Sequence, residues 1–186
     1  MDTQQTRTIY ILFSRSQTWF SRAIHLFTGG DFTHVSIGLD SPRGPFWSFG
    51  RKYPQLPFPG GFIQEGPERG FFLLHPETPC ALRAVEVSEE TYEALRVKLT
   101  AMAERQEVYT YNLLGTAACF LGVPVDRRDC YFCSQFVAEA LSESGAVELP
   151  RVPSLTRPMD LWGAVEDWQP VYRGAVGALA GAGESA

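Results

Sequence analysis

The sequence is short of positive charge and histidine, and it has no long apolar run. Its 16 Lys and Arg are outnumbered by 21 Asp and Glu, for a net charge of −5. A protein that grips nucleic acid through phosphates needs a basic stripe, so no nucleic-acid partner is expected. The adjacent basic pairs, Arg51–Lys52 and Arg127–Arg128, read as solvated loop charges. No apolar stretch reaches the roughly 20 residues of a membrane span. The best candidate, Leu113 to Val125, is broken by Gly115, Gly122 and Pro124. The opening MDTQQTRTIY is polar and lacks the apolar h-region of a signal peptide. A cytoplasmic address is therefore expected. With it come four reduced thiols, Cys80, Cys119, Cys130 and Cys133, rather than disulfides. A zinc site would need a second C-x-x-C or an H-x₃-H, which the chain does not have, so no metal or other cofactor is expected.

What is present is globular. Hydrophobic residues make up 45% of the 186 and aromatics 13%, enough for one domain with a full core. That core is expected over residues 7–174, with an Ala/Gly-rich, flexible tail over 175–186. Thr8 to Ser14 reads as a buried strand, and Ser16 to Gly30 as a short amphipathic helix ended by Gly29–Gly30. Val35, Ile37 and Leu39 alternate with His34, Ser36 and Gly38, which predicts a strand with two distinct faces. Phe46 to Arg51 reads as its hairpin partner. Tyr53 to Gly70 is rich in Pro and Gly and reads as a long loop of the kind that lines sites. Phe71 to Leu74 and Leu82 to Val87 read as further strands, and Ser88 as the cap of a helix carrying Tyr92, Leu95, Leu99 and Met102. Helices are predicted over Asn112–Leu121 and Cys133–Ser144, a helical turn over Asp160–Val165, and a last strand at Val171–Arg173. The pattern is α+β: an antiparallel sheet with helices packed on it.

Two residues stand out chemically. Cys133 falls in the first turn of a helix whose apolar face is Phe136, Val137, Ala140 and Leu141. Unpaired N–H groups and the positive end of the helix dipole stabilise a thiolate there, and the same N–H groups can hold an oxyanion. Position alone leaves a buried structural cysteine equally open. His34 opens a strand whose face-mates Ser36 and Gly38 are small, which permits close approach of a helix or substrate. His25 and His75 read as surface residues. Cys130 and Cys133 also form a C-x-x-C. In redox pairs the first cysteine starts the helix, whereas here the second one does. Tyr109, Tyr111 and Tyr131 are candidate oxyanion donors, with aromatic packing the competing reading.

Thr33-His-Val-Ser-Ile-Gly-Leu39, followed much later by Tyr131-Phe-Cys-Ser-Gln-Phe-Val-Ala-Glu-Ala-Leu141, resembles the circularly permuted branch of the NlpC-type papain-like cysteine hydrolases. This branch includes the YiiX-like bacterial hydrolases and lecithin retinol acyltransferase, and in it the His strand precedes the Cys helix. The resemblance extends over roughly Arg7 to Gly174 and includes Phe46-Trp-Ser-Phe-Gly-Arg51 and Pro57-Phe-Pro-Gly-Gly-Phe62. It implies a papain-like fold, with Cys133 as nucleophile and His34 as base. It also implies a third, polar residue on the strand after the His strand. Strand parity offers Phe46, Ser48 and Gly50, of which Ser48 is the polar one; Glu65 in the loop is the alternative. The implied chemistry is hydrolysis of an amide or ester through a thioester, on a small peptide or acyl-lipid substrate. An acyltransferase, an inactive binding module and a C-x-x-C redox protein are the competing functions.

Overall fold

Strand β1 (Thr6–Ser14) buries Ile9, Ile11 and Phe13 on one face and Leu12 on the other, as the centre of a sheet covered on both sides must. The computed structural model describes residues 5–15, 30–56 and 58–181. The helix expected over Ser16 to Gly30, with His25, lies outside the described residues except for its last glycine, as does Pro57. After β1 come β2 (His34–Leu39), β3 (Phe46–Arg51) and β4 (Gly60–Glu65), then a one-turn helix α1 (Gly70–Leu74). Next are β5 (Pro79–Ser88), α2 (Glu89–Glu104), the two-residue β6 (Thr110–Tyr111) and α3 (Leu113–Phe120). β7 (Cys130–Tyr131) leads straight into α4 (Cys133–Glu143), and α5 (Pro158–Ala164) and β8 (Gln169–Ala175) follow.

Six strands form an antiparallel sheet in the order β4-β3-β2-β1-β5-β8, so the chain is α+β as expected. The alternation along β1 and β2 assigns the two faces. Ile9, Ile11, Phe13, Val35 and Ile37 meet Tyr92, Leu95 and Leu99 of α2 and Phe136, Val137, Ala140 and Leu141 of α4 in the larger core. The opposite face carries Leu12, Phe46 and Leu82 and is covered by Phe72 of α1 with Val176 and Leu179. Helix α2 begins where Ser88 Oγ accepts the Thr91 N–H, and Glu89 and Glu90 face its positive end. Among the described residues no helix is long and apolar enough to cross a membrane.

Three local expectations need correction. Phe71 to Leu74 is helical, not a strand: Gly70 turns the chain at φ +61, and the following run buries Phe72 while leaving Leu73 and Leu74 exposed. A short apolar run does not by itself distinguish strand from helix. Tyr53 to Gly70 is not all loop, because Gly60–Glu65 pairs with all of β3. Nor does the chain fray from residue 175: Val176 to Ala180 forms a 3₁₀ turn, with Val176 and Leu179 at 0% and 2% exposure. Those two side chains, three apart, fall on the same side of that turn and close the smaller core. Leu179→Ala is therefore expected to lower stability by about 2–4 kcal/mol in urea unfolding, as for a buried leucine. A frayed tail would give a change within about 0.5 kcal/mol.

Candidate active site

The Cys133 position is built by the two elements before it. Parallel pairing of β6 with β7 sets Thr110 beside Cys130 and Tyr111 beside Tyr131. Phe132 is the N-cap of α4, extended at φ −105 and ψ 165, and Cys133 is the first helical residue. The first helical hydrogen bond runs from Phe136 N–H to Phe132 O at 3.0 Å. The N–H groups of the first turn have no partner within the helix, and Phe132 has no side-chain oxygen to cap them. Three contacts fix that turn. Ser134 Oγ donates to Thr156 O (2.8 Å), Gln135 Nε2 donates to Asp126 Oδ1 (3.0 Å), and Ser154 Oγ donates to Asp126 Oδ2 (3.3 Å).

His34 is the first residue of β2 and Cys133 the first of α4. The His34 ring has two polar neighbours. Its Nε2 lies 2.7 Å from Glu65 Oε1, and the Cys133 thiol is close enough to act on its charge. With Nε2–H given to the carboxylate, Nδ1 is the ring nitrogen left for sulfur. Burial alone would lower the imidazole pKa. Glu65 and Cys133 outweigh it and raise the pKa well above the ordinary 6.5. Glu65 is itself buried, at 2% exposure. The Tyr111 hydroxyl is within electrostatic reach of both Cys133 and Thr116. Burial, then the charge at Cys133, raises the Tyr111 pKa far beyond the tyrosine range, so this hydroxyl keeps its proton.

The sequence-level candidates separate cleanly. Cys133 and His34 are brought together. Ser48 is not the ring's partner: its buried hydroxyl donates to Val35 O at 2.7 Å, within reach of its own strand pair. Glu65, named as a loop alternative, is the last residue of β4 and makes the contact. The signal for it was present, since Glu65 pairs with Phe46 and so shares a face with Ser48 and His34 once β4 is recognised. Of the three tyrosines, Tyr111 reaches the thiol. Tyr109 packs against Phe49 and Phe62, and Tyr131 donates to Glu139 Oε1 at 3.3 Å. His75 stacks on Phe71 at 4.3 Å. The start of β4 approaches Tyr111, for a Cβ on Gly60 would lie 2.8 Å from Tyr111 Cβ. All four cysteines are free. Cys130 Sγ sits 2.9 Å from Thr110 Oγ1, and the extended run from Cys130 to Phe132 separates its Cα from that of Cys133 by ~10 Å. A disulfide needs less than about 7 Å.

Comparison of the chain with models of known protein families, with curated proteins and with solved structures gives no match.

The His34–Glu65 contact has a pH signature. The folded-state pKa of His34 lies above its unfolded value. The pair therefore contributes fully to stability below pH ~6.5 and loses that contribution as pH rises through the raised midpoint. A proton-NMR titration of the His34 ring should give a midpoint above 6.5. Glu65→Gln should lower it, because burial is then opposed by Cys133 alone. An unchanged midpoint in Glu65→Gln would contradict the pairing.

Proposed function

We propose that this protein is a cysteine hydrolase that cleaves an amide or ester bond through a thioester acyl-enzyme. We place it with the circularly permuted NlpC-type papain-like enzymes. The observation that carries the reading is a single imidazole hydrogen-bonded to a buried carboxylate and close to a helix-start thiol. The His strand before the Cys helix is the permuted order, and the antiparallel sheet with α4 packed on it is the expected frame.

In the proposed reaction His34 Nδ1 takes the Cys133 proton while Glu65 holds the ring and balances the imidazolium. The thiolate attacks the carbonyl carbon. The oxyanion is received by the first-turn N–H groups of α4 and by the Tyr111 hydroxyl, which remains a proton donor. His34 then gives its proton to the leaving amine or alcohol. Water, activated by the same ring, hydrolyses the thioester and releases the acid. An acyltransferase would differ only in the acceptor that replaces this water. Phe58, two residues before Gly60 in the chain, and Leu113 and Leu114, just after Tyr111, are 55%, 38% and 66% exposed, apolar surface that would suit an acyl chain. Redox use of the C-x-x-C is disfavoured by the extended backbone between its cysteines. An inactive module would have no need for a buried Glu65 aimed at His34.

Limiting iodoacetamide, read out residue by residue, tests the nucleophile. Cys133 is expected to label fastest. His34→Ala should slow it about tenfold or more, Glu65→Gln by less, and Ser48→Ala and Cys130→Ala hardly at all. Equal labelling of Cys130 and Cys133, or a rate indifferent to His34→Ala, would contradict the assignment.

A further inference from the structure

Two hydroxyls on the His34 side of the sheet have no role in the chemistry above. Ser14 Oγ and Ser36 Oγ belong to residues at 1% and 0% exposure, and neither has a hydrogen-bond partner among the described residues. Buried hydroxyls in folded proteins are nearly always paired with protein or ordered water. Their placement follows from the register. Ser14 stands directly opposite His34, and Ser36 stands opposite Leu12, one step along. Opposed residues of antiparallel strands project to the same face, so Ser14, His34 and Ser36 share one.

Glu65 comes to the same place from the other side. A Cβ on Gly50 would lie 3.9 Å from His34 Cε1, and Glu65, opposite Phe46 at the end of β4, reaches the ring at 2.7 Å. Ser48 has given its proton to Val35 O. Ser14, across from His34, and Ser36, two residues along β2 from it, both have protons to give. A carboxylate accepts up to about four hydrogen bonds, and His34 supplies one.

We propose that Ser14 and Ser36 are positioning residues that hold a buried water against the Glu65 carboxylate, and so keep it aimed at His34. This rests on the reading of His34 as base and Glu65 as its orienter. The groups that face His34 are Glu65 from β4 and Cys133 from α4. Cys80 of β5 lies across Ser14, and Tyr111 of β6 lies near the thiol. Burial pushes the Cys80 thiol up to about 11, and Tyr111 stays protonated, so neither carries charge near neutrality.

The test uses the full chain with Ser14→Ala, Ser36→Ala and Ser36→Cys, each made with Glu65 and with Glu65→Gln. Two quantities are read: the NMR titration midpoint of His34 and the Cys133 alkylation rate at pH 7. Ser36→Ala should lower the midpoint by roughly half to one pH unit, the size of one hydrogen bond, and slow alkylation about threefold. Ser14→Ala should act in the same direction, and both effects should vanish in the Glu65→Gln background. Ser36→Cys, nearly isosteric but a weak donor, should resemble Ser36→Ala and serves in its place if that variant misfolds. Unchanged midpoints, or equal shifts with and without the Glu65 carboxylate, would overturn the proposal. If wild-type Cys133 proves unreactive the hydrolase reading falls, while the His34 midpoint still decides the role of the serines.

Discussion

A buried carboxylate 2.7 Å from an imidazole sets conditions on much of the sheet around it. Glu65 is nearly sealed from water, and a charge there is tolerable only with a charged or hydrogen-bonding partner. The strand beside the ring must be small at Gly50, where a Cβ would press on Ile63 Cδ1 at 2.7 Å and lie 3.9 Å from His34 Cε1. The same carboxylate lifts the His34 pKa against the pull of burial. Loss of either partner would leave the other stranded in a low-dielectric site.

The thiol side obeys a different constraint, the rigidity of the first turn of α4. Helix α4 is anchored by Phe136, Val137, Ala140 and Leu141 in the larger core. Its start is fixed by Ser134 on Thr156 O and by Gln135 on Asp126. The short β6–β7 pair brings Tyr111 to the sulfur, and Asn112, its neighbour, caps α3 by accepting the Gly115 N–H at 2.9 Å. One stretch of chain thus supplies both a donor at the site and the helix start beside it. In the proposed chemistry these rigid donors meet the developing oxyanion without reorganising.

Much of this was legible before the structure. The alternation of Val35, Ile37 and Leu39 and the 3.6-residue period of α4 mark faces strongly, because burial on one side leaves a period in the chain. That made Cys133 and His34 visible as the first residues of their elements. The orienting residue was harder to read. Ser48 has the right parity, but its short hydroxyl finds a backbone carbonyl before it finds a ring. Glu65 was visible only as a loop carboxylate, because the glycines and prolines before it hid a strand that pairs with all of β3. The 3₁₀ turn at Val176 was missed for a related reason: two apolar residues among alanines and glycines give too short a period to mark a buried face.

The central claim is that Cys133 sulfur forms a bond to an acyl carbon with the help of His34. Intact-protein and peptide mass spectrometry after brief exposure to an activated acyl ester, quenched in acid, reads that bond directly. The account predicts one acyl group on Cys133 that decays as the free acid appears and is absent in His34→Ala on the same timescale. An acyl group on another residue, or none on Cys133 while the ester is turned over, would contradict it.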